Sequence, residues 1–285
     1  LNNVQIVSGD NIIESVLSEE ALQSKDSVEE TEVADTSDQA ETETQILEEK
    51  EKVDDEIDTD LNVEETEDKV LKAGDTFVEG ILTYQVNEDA ETCLVALCDK
   101  NAIGEVIVPD TVKGFKVTAI GTGDAAGSDY DAFYNCKNLE SVVLPDGIVS
   151  IEREAFYYCT NLKTINLPES LEKIGRAAFS KCNSLADIVL PKELKRIDNY
   201  GFSGCPFKEI ELPQGLETIS SNIFSGCTQL STIEIPEGIT AIGSWSFYGC
   251  TALKKIKLPE TVQSIGDAAF WGCTRLTAIE LPDSI

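Results

Sequence analysis

The feature that most limits this chain is its internal period. Gly175 to Ile197 reads GRAAFSKCNSLADIVLPKELKRI. Twenty-three residues earlier stands EREAFYYCTNLKTINLPESLEKI, with the same Phe, Cys, Leu, Ile and Pro positions. Phe recurs at 133, 156, 179, 202, 224, 247 and 270, and Cys at 136, 159, 182, 205, 227, 250 and 273. Both series step by 23, except for one step of 22 after Cys205, where CPFKEIELP is one residue shorter than CNSLADIVLP. Pro follows at 145, 168, 191, 213, 236, 259 and 282, and Pro109 opens an irregular first unit. A period of this length marks units that cannot bury their apolar face alone and must stack on one another.

One unit shows how. Ile165 and Leu167 lie two residues apart, on one face of an extended strand. Pro168 cannot donate to a ladder and ends that strand. Leu171 and Ile174 return inward on a second extended segment, and Gly175 admits a tight turn. Asp198, Ser220 and Glu152 replace that Gly in sister units, so a positive φ is not required there. RAAFSKC then sets Phe179 and Cys182 three apart, which predicts a short helical turn. The strands are expected at 142–144, 165–167, 188–190, 210–212, 233–235, 256–258 and 279–281.

The repeats do not cover the whole chain. Residues 1–72 hold 24 Asp and Glu against 5 Lys, with no aromatic residue. That composition cannot bury enough apolar surface to order itself, so 1–72 is read as a disordered acidic tail or linker. Alternating apolar residues in DTFVEGILTYQV, followed by TCLVALC, predict an N-terminal β cap over 73–105. The repeats occupy 106–285, with the last unit incomplete, so the natural protein is expected to continue. There is no Met, which makes position 1 a processed or trimmed terminus; a removed signal peptide fits but is not visible.

AFYYCTNLKTINLPESLEKIG and its copies resemble the BspA-type leucine-rich repeat. The stretches AGDTFVEGILTYQV and VIVPDTVKGFKVTAIG resemble the lead-in common in that family. The resemblance implies a mostly β, α/β-class solenoid, with a parallel sheet on its concave face and short helical turns. It also implies a secreted or cell-surface bacterial protein that binds host or neighbouring-cell proteins. Right-handed coiling follows from the chirality of β crossovers.

Several chemistries are excluded or disfavoured. Net charge is −31, which repels duplex nucleic acid and anionic lipid. No apolar run reaches the 18 residues a membrane-spanning helix needs. The chain has no His, which removes Ser-His and Cys-His pairs and the commonest metal ligand. No phosphate-binding Gly-rich motif occurs. A two-carboxylate glycosidase is compatible with the composition, but the acids fall at solvent positions of a periodic chain. No enzyme, cofactor or metal is expected. Seven of the nine Cys recur with the repeat, and all are read as buried reduced thiols, which would suit an anaerobic host. Cys93 and Cys98, an odd number apart on one strand, are expected to face opposite sides.

Two surfaces are candidates for partner binding. The first is the concave row, whose candidates are Thr164, Asn166, Asp187, Glu209, Glu211, Thr232, Glu234, Lys255, Lys257 and Glu280: acidic, then a two-Lys stripe, then acidic again. The second is the aromatic row of Tyr134, Tyr157, Tyr248 and Trp271, each directly after a Phe. The sequence therefore reads as a non-catalytic adhesion or protein-binding module, with extracellular or host proteins as partners, in a monomeric solenoid. The alternative is a structural spacer that presents another domain.

Overall fold

A computed structural model of the chain describes residues 5–7, 70–122 and 132–285. Contacts divide the chain into Leu1–Leu17 with Leu71–Ile285, and Ser18–Val70. The first unit is a mostly β, leucine-rich-repeat-type solenoid.

Its described strands run, in order, β1 (Gln5–Val7), β2 (Thr76–Glu79), β3 (Leu82–Val86), β4 (Thr92–Cys98), β5 (Gly104–Ile107), β6 (Thr111–Val112), β7 (Phe115–Ile120), β8 (Leu139–Val143) and β9 (Ser150–Ile151). They continue as β10 (Thr164–Ile165), β11 (Lys173–Ile174), β12 (Arg196–Ile197), β13 (Thr218–Ile219), β14 (Thr232–Glu234), β15 (Ala241–Ile242), β16 (Lys255–Lys257), β17 (Ser264–Ile265) and β18 (Ala278–Glu280). β2, β3 and β4 pair antiparallel, and β4 then joins β7 in parallel.

Each turn carries two extended segments, and both stack in parallel on the next turn. The first segments pair as β5–β8–β10 and, further on, as β14–β16–β18. The second pair as β7–β9–β11–β12 and as β13–β15–β17. The expected strands therefore form at 142–144, 165–167, 233–235, 256–258 and 279–281, displaced about one residue towards the N-terminus. No strand forms at 188–190 or 210–212. Both sheets break around the short unit, although Ser231 N–H still donates to Lys208 O across it at 2.9 Å. β1 adds to the outer edge of β18, with Ile6 opposite Ile279; the rest of the acidic tail below residue 70 lies outside the described residues.

The expected helical turns do not form: among the described residues there is no helix. The reason lies in the backbone around each Phe. Two residues before it, Glu154, Ala177, Tyr200, Asn222, Trp245 and Ala268 all have positive φ. Two residues after it, so do Asn135, Tyr158, Lys181, Gly204, Gly226, Gly249 and Gly272. An α-helix needs an unbroken run of negative φ. Here alternate N–H groups turn outward to the following unit: Glu154 N–H donates to Arg176 O, Phe156 N–H to Ala178 O and Tyr158 N–H to Ser180 O, at 2.8, 2.8 and 3.0 Å. Hydrogen bonds that would hold a helix together instead join one turn to the next.

The core is a set of columns. The Phe rings stack face to face, with centroids 4.9 Å apart for Phe133–Phe156 and 5.2 Å for Phe156–Phe179. The wide step in this column is Phe202–Phe224 at 6.1 Å, across the short unit. Phe207 stands there where other units have Leu, and packs edge-on to Phe202 at 5.5 Å. Gly175 does not need a positive φ; a Cβ there would lie 2.7 Å from Arg153 N, so close approach of the preceding turn is what the Gly serves.

Candidate binding faces

The first-strand face carries the charged candidates in rows set by strand register. Thr232 lies opposite Lys255, and Glu234 opposite Lys257, which lies opposite Glu280. Thr164 lies opposite Ser141. All ten candidates, with Asp187, Glu209 and Glu211 on the turns between, are exposed. Lys255 and Lys257 form no ion pair among the described residues, and Glu234 and Glu280 flank Lys257 on neighbouring strands. Asn166 has a structural task. Its amide donates to Leu144 O at 2.8 Å and accepts from Leu144 N–H at 2.7 Å, finishing the strand before it. A side chain held twice by backbone is a poor contact for a partner.

The candidate contacts left out the apolar part of this face. Ile107 and Val143 are register partners and are both exposed, at 64% and 39%; Val189 is 79% exposed. The face thus runs from β-branched apolar residues, through acid, to the Lys pair. The signal was present in the unit itself, as an apolar residue at a position where sister units carry Asn, Glu or Lys.

The aromatic row divides in two. Tyr134 and Tyr157 are half-buried and stack on each other at 5.3 Å, and Tyr157 meets Tyr158 edge-on. They pack along the solenoid. Tyr248 and Trp271 are exposed, at 38% and 43%, and Trp245 lies against Tyr248 at 5.1 Å.

All nine Cys are free and buried. In six turns the thiol donates to the carbonyl of the Phe one unit back: Cys159 to Phe133 O at 3.0 Å, Cys182 to Phe156 O at 3.2 Å, and likewise Cys205, Cys227, Cys250 and Cys273. Cys therefore serves as a small apolar residue with one weak donor aimed at a buried carbonyl. Burial pushes these thiols up, Cys227 and Cys273 to about 12, and Cys93 in β4 to about 11. A thiol held this way is no nucleophile at neutral pH. Cys93 and Cys98 do not face opposite sides; both are buried. A bulge opposite Thr83 and Tyr84 skips Ala96 and resets the alternation of β4. Cys98 and Cys136 both point at Asp99 O, at 3.5 and 3.8 Å. The contact with Cys136 and burial push the Cys98 thiol up. Among the described residues no cluster of three metal-ligating side chains occurs.

Comparison with known proteins follows the same architecture. The model for the BspA type leucine rich repeat region matches residues 129–206 and 195–285, as six copies. The crystal structure of a leucine-rich repeat protein from Bacteroides ovatus is 30% identical over 73% of this chain and 60% of its own, with a TM-score of 0.58. This chain thus spans less than two thirds of that protein. A leucine rich repeat protein from T. pallidum is 30% identical over 71% of this chain and 91% of its own, with a TM-score of 0.62. No curated protein sequence matches the chain.

Proposed function

Since the chain belongs to the BspA type leucine-rich repeat family, we propose that it is a non-catalytic protein-binding module of an exported or cell-surface protein, and that extracellular or host proteins are its partners. The observation that carries this reading is the first-strand face. Parallel register brings Glu234, Lys257 and Glu280 into one exposed row, with Thr232 and Lys255 in the next. A surface of this kind offers side chains from several turns to one extended partner. The charge order favours a partner with complementary alternation, and exposed Ile107, Val143 and Val189 supply apolar contact at the other end. Catalysis is disfavoured by the absence of His and by the burial of all nine thiols. Free thiols in an exported protein fit a reducing, oxygen-poor surrounding.

The test uses the immobilised chain to capture host extracellular proteins. Capture is then repeated with Lys255→Ala/Lys257→Ala and with Tyr248→Ala/Trp271→Ala, each first shown to unfold as the parent does. Loss in the Lys variant, with binding that weakens as salt rises, supports the sheet face. Loss only in the aromatic variant moves the site to Tyr248 and Trp271. Undiminished capture by both variants, or no specific capture, leaves the structural-spacer reading as the better one.

A further inference from the structure

The strongest local contradiction in the molecule is a shallow, open basic cleft in a chain of net charge −31. It lies beside the first-strand face, on the segment between each Cys and the next strand. Its volume is about 580 Å³, and its lining includes Lys208, Lys254 and Arg275, with Ser231, Thr251 and Thr274 between them. No acidic side chain lines it. None of the three cations forms an ion pair among the described residues. By contrast, Lys163, Lys173 and Lys195 elsewhere in the repeats each hold a Glu. Lys255 and Lys257 are unpaired among the described residues as well, so what sets this place apart is that cations from three different turns line it with no acid among them, in a chain where Asp and Glu outnumber Lys and Arg by 53 to 22.

We propose that this cleft binds a linear acidic polysaccharide, through carboxylate or sulfate groups carried at intervals along the polymer. Three observations lead there. The first is spacing. Lys208 and Lys254 occupy equivalent positions two turns apart, about 10 Å at ~4.8 Å per step, with Ser231 between them and Arg275 on the following turn. That alternation of charge, hydroxyl and charge suits a chain that bears its anion on every second unit. The second is the lining. Thr251 and Thr274 hydroxyls donate to the carbonyls of Thr228 and Thr251, leaving their oxygen lone pairs to accept from sugar hydroxyls. The third is an apolar edge. Tyr248 and Trp271 are exposed and stand three residues before Thr251 and Thr274, on the turns that lead into the cleft. Sugar C–H faces rest on such rings. The overall charge argues against a nucleic acid: phosphate on every residue would meet repulsion from the rest of the molecule.

Isothermal titration of the whole chain with hyaluronan oligosaccharide, which carries one carboxylate on every second sugar, heparin oligosaccharide, neutral dextran of equal length and single-stranded oligonucleotide tests this. At least one acidic glycan is expected to bind, with affinity falling as salt rises, while dextran does not. Lys254→Gln/Arg275→Gln is expected to weaken that binding tenfold or more with unchanged circular dichroism. Lys192→Gln/Lys195→Gln, an equal change of net charge elsewhere, is expected to leave it within twofold. Equal losses in the two variants would show general Coulomb attraction and overturn the proposal, as would oligonucleotide binding as tight as glycan. So would silence from both acidic glycans. Retained host-protein capture in Lys254→Gln/Arg275→Gln would separate this site from the sheet face.

Discussion

Alkaline pH should unfold this protein by a route written into its core. Seven thiols, Cys93, Cys159, Cys182, Cys205, Cys227, Cys250 and Cys273, are pushed up by burial from the ordinary value of 9.0. Cys93 rises to about 11, and Cys227 and Cys273 to about 12. The folded state therefore keeps these protons when the unfolded chain has given them up. Above pH 9 the unfolded state binds fewer protons, so stability falls as pH rises, and the contribution is fully present below that pH. From pH 9 to 10 an unfolded thiol goes from about half to about nine-tenths ionised, which costs the folded state about 1 kcal/mol per thiol. Seven thiols give a ceiling of about 7 kcal/mol, comparable to the whole stability of an ordinary domain. The part that comes from Cys93, Cys227 and Cys273 should level off as pH passes through their folded values near 11 to 12, while Cys159, Cys182, Cys205 and Cys250, held higher still, go on contributing to the loss. Urea unfolding under reducing, oxygen-free buffer at pH 8, 9 and 10 measures it. General charge repulsion in so acidic a chain adds a slope of its own, so the decisive comparison is Cys182→Ala. That variant should start less stable, because it loses the thiol and its bond to Phe156 O, yet should lose about 1 kcal/mol less than the parent between pH 9 and 10. Identical slopes for the two proteins would refute the reasoning.

Three further outcomes are expected from the packing. Phe179→Ala removes a fully buried ring stacked at 5.2 and 5.6 Å on both neighbours and should cost about 3–5 kcal/mol by denaturant titration, clearly more than Phe270→Ala, whose half-buried ring stacks on Phe247 alone among the described residues; equal losses would argue against coupling along the column. Ser246 Oγ is buried without a hydrogen-bond partner where sister units have Ala155, Ala178 and Ala269, so Ser246→Ala should raise stability by about 1 kcal/mol, and a clear drop in melting temperature would contradict it. Lys181 sits at φ 65° where four later units use Gly204, Gly226, Gly249 and Gly272; Lys181→Gly should relieve that backbone and gain up to about 1 kcal/mol in calorimetry, and a loss of that size would count against the strain.

The repeat made the fold readable because period, Pro and paired apolar residues all report burial and chain direction. Ile165, Leu171, Ile174 and Phe179 went inward as their spacing required. The turn around Phe was misread for a physical reason: Phe and Cys three apart suit one face of a helix, and equally suit a chain of tight turns. What separates the two is the sign of φ at Ala177 and Lys181, and neither residue type announces a positive value. Gly204, Gly226, Gly249 and Gly272 were the available hint. On the candidate faces, exposure of Glu211, Glu234 and Lys257 was legible from alternation. The pair of hydrogen bonds between Asn166 and Leu144 was not, since it depends on which turn lies beside it. The cleft at Lys208, Lys254 and Arg275 was missed because its members are far apart in sequence and only stacking makes them neighbours.

The stacked Phe column also has a consequence for how such a chain changes length. Each interior ring meets its equivalents one unit away on either side, and six of the seven repeat thiols meet the carbonyl of the Phe one unit back. Cutting out one whole unit between Phe156 and Phe179 would therefore bring together surfaces of the same kind, Phe on Phe and thiol on carbonyl. Cutting out any other number would set unlike positions against each other. Even the loss of a single residue after Cys205 is accompanied here by a widened ring spacing, a Phe207 in place of Leu, and a break in both sheets. Reach is thus a quantity that genes of this type can adjust in whole steps by unequal recombination, each product folding by the contacts of its parent and differing only in how far it extends.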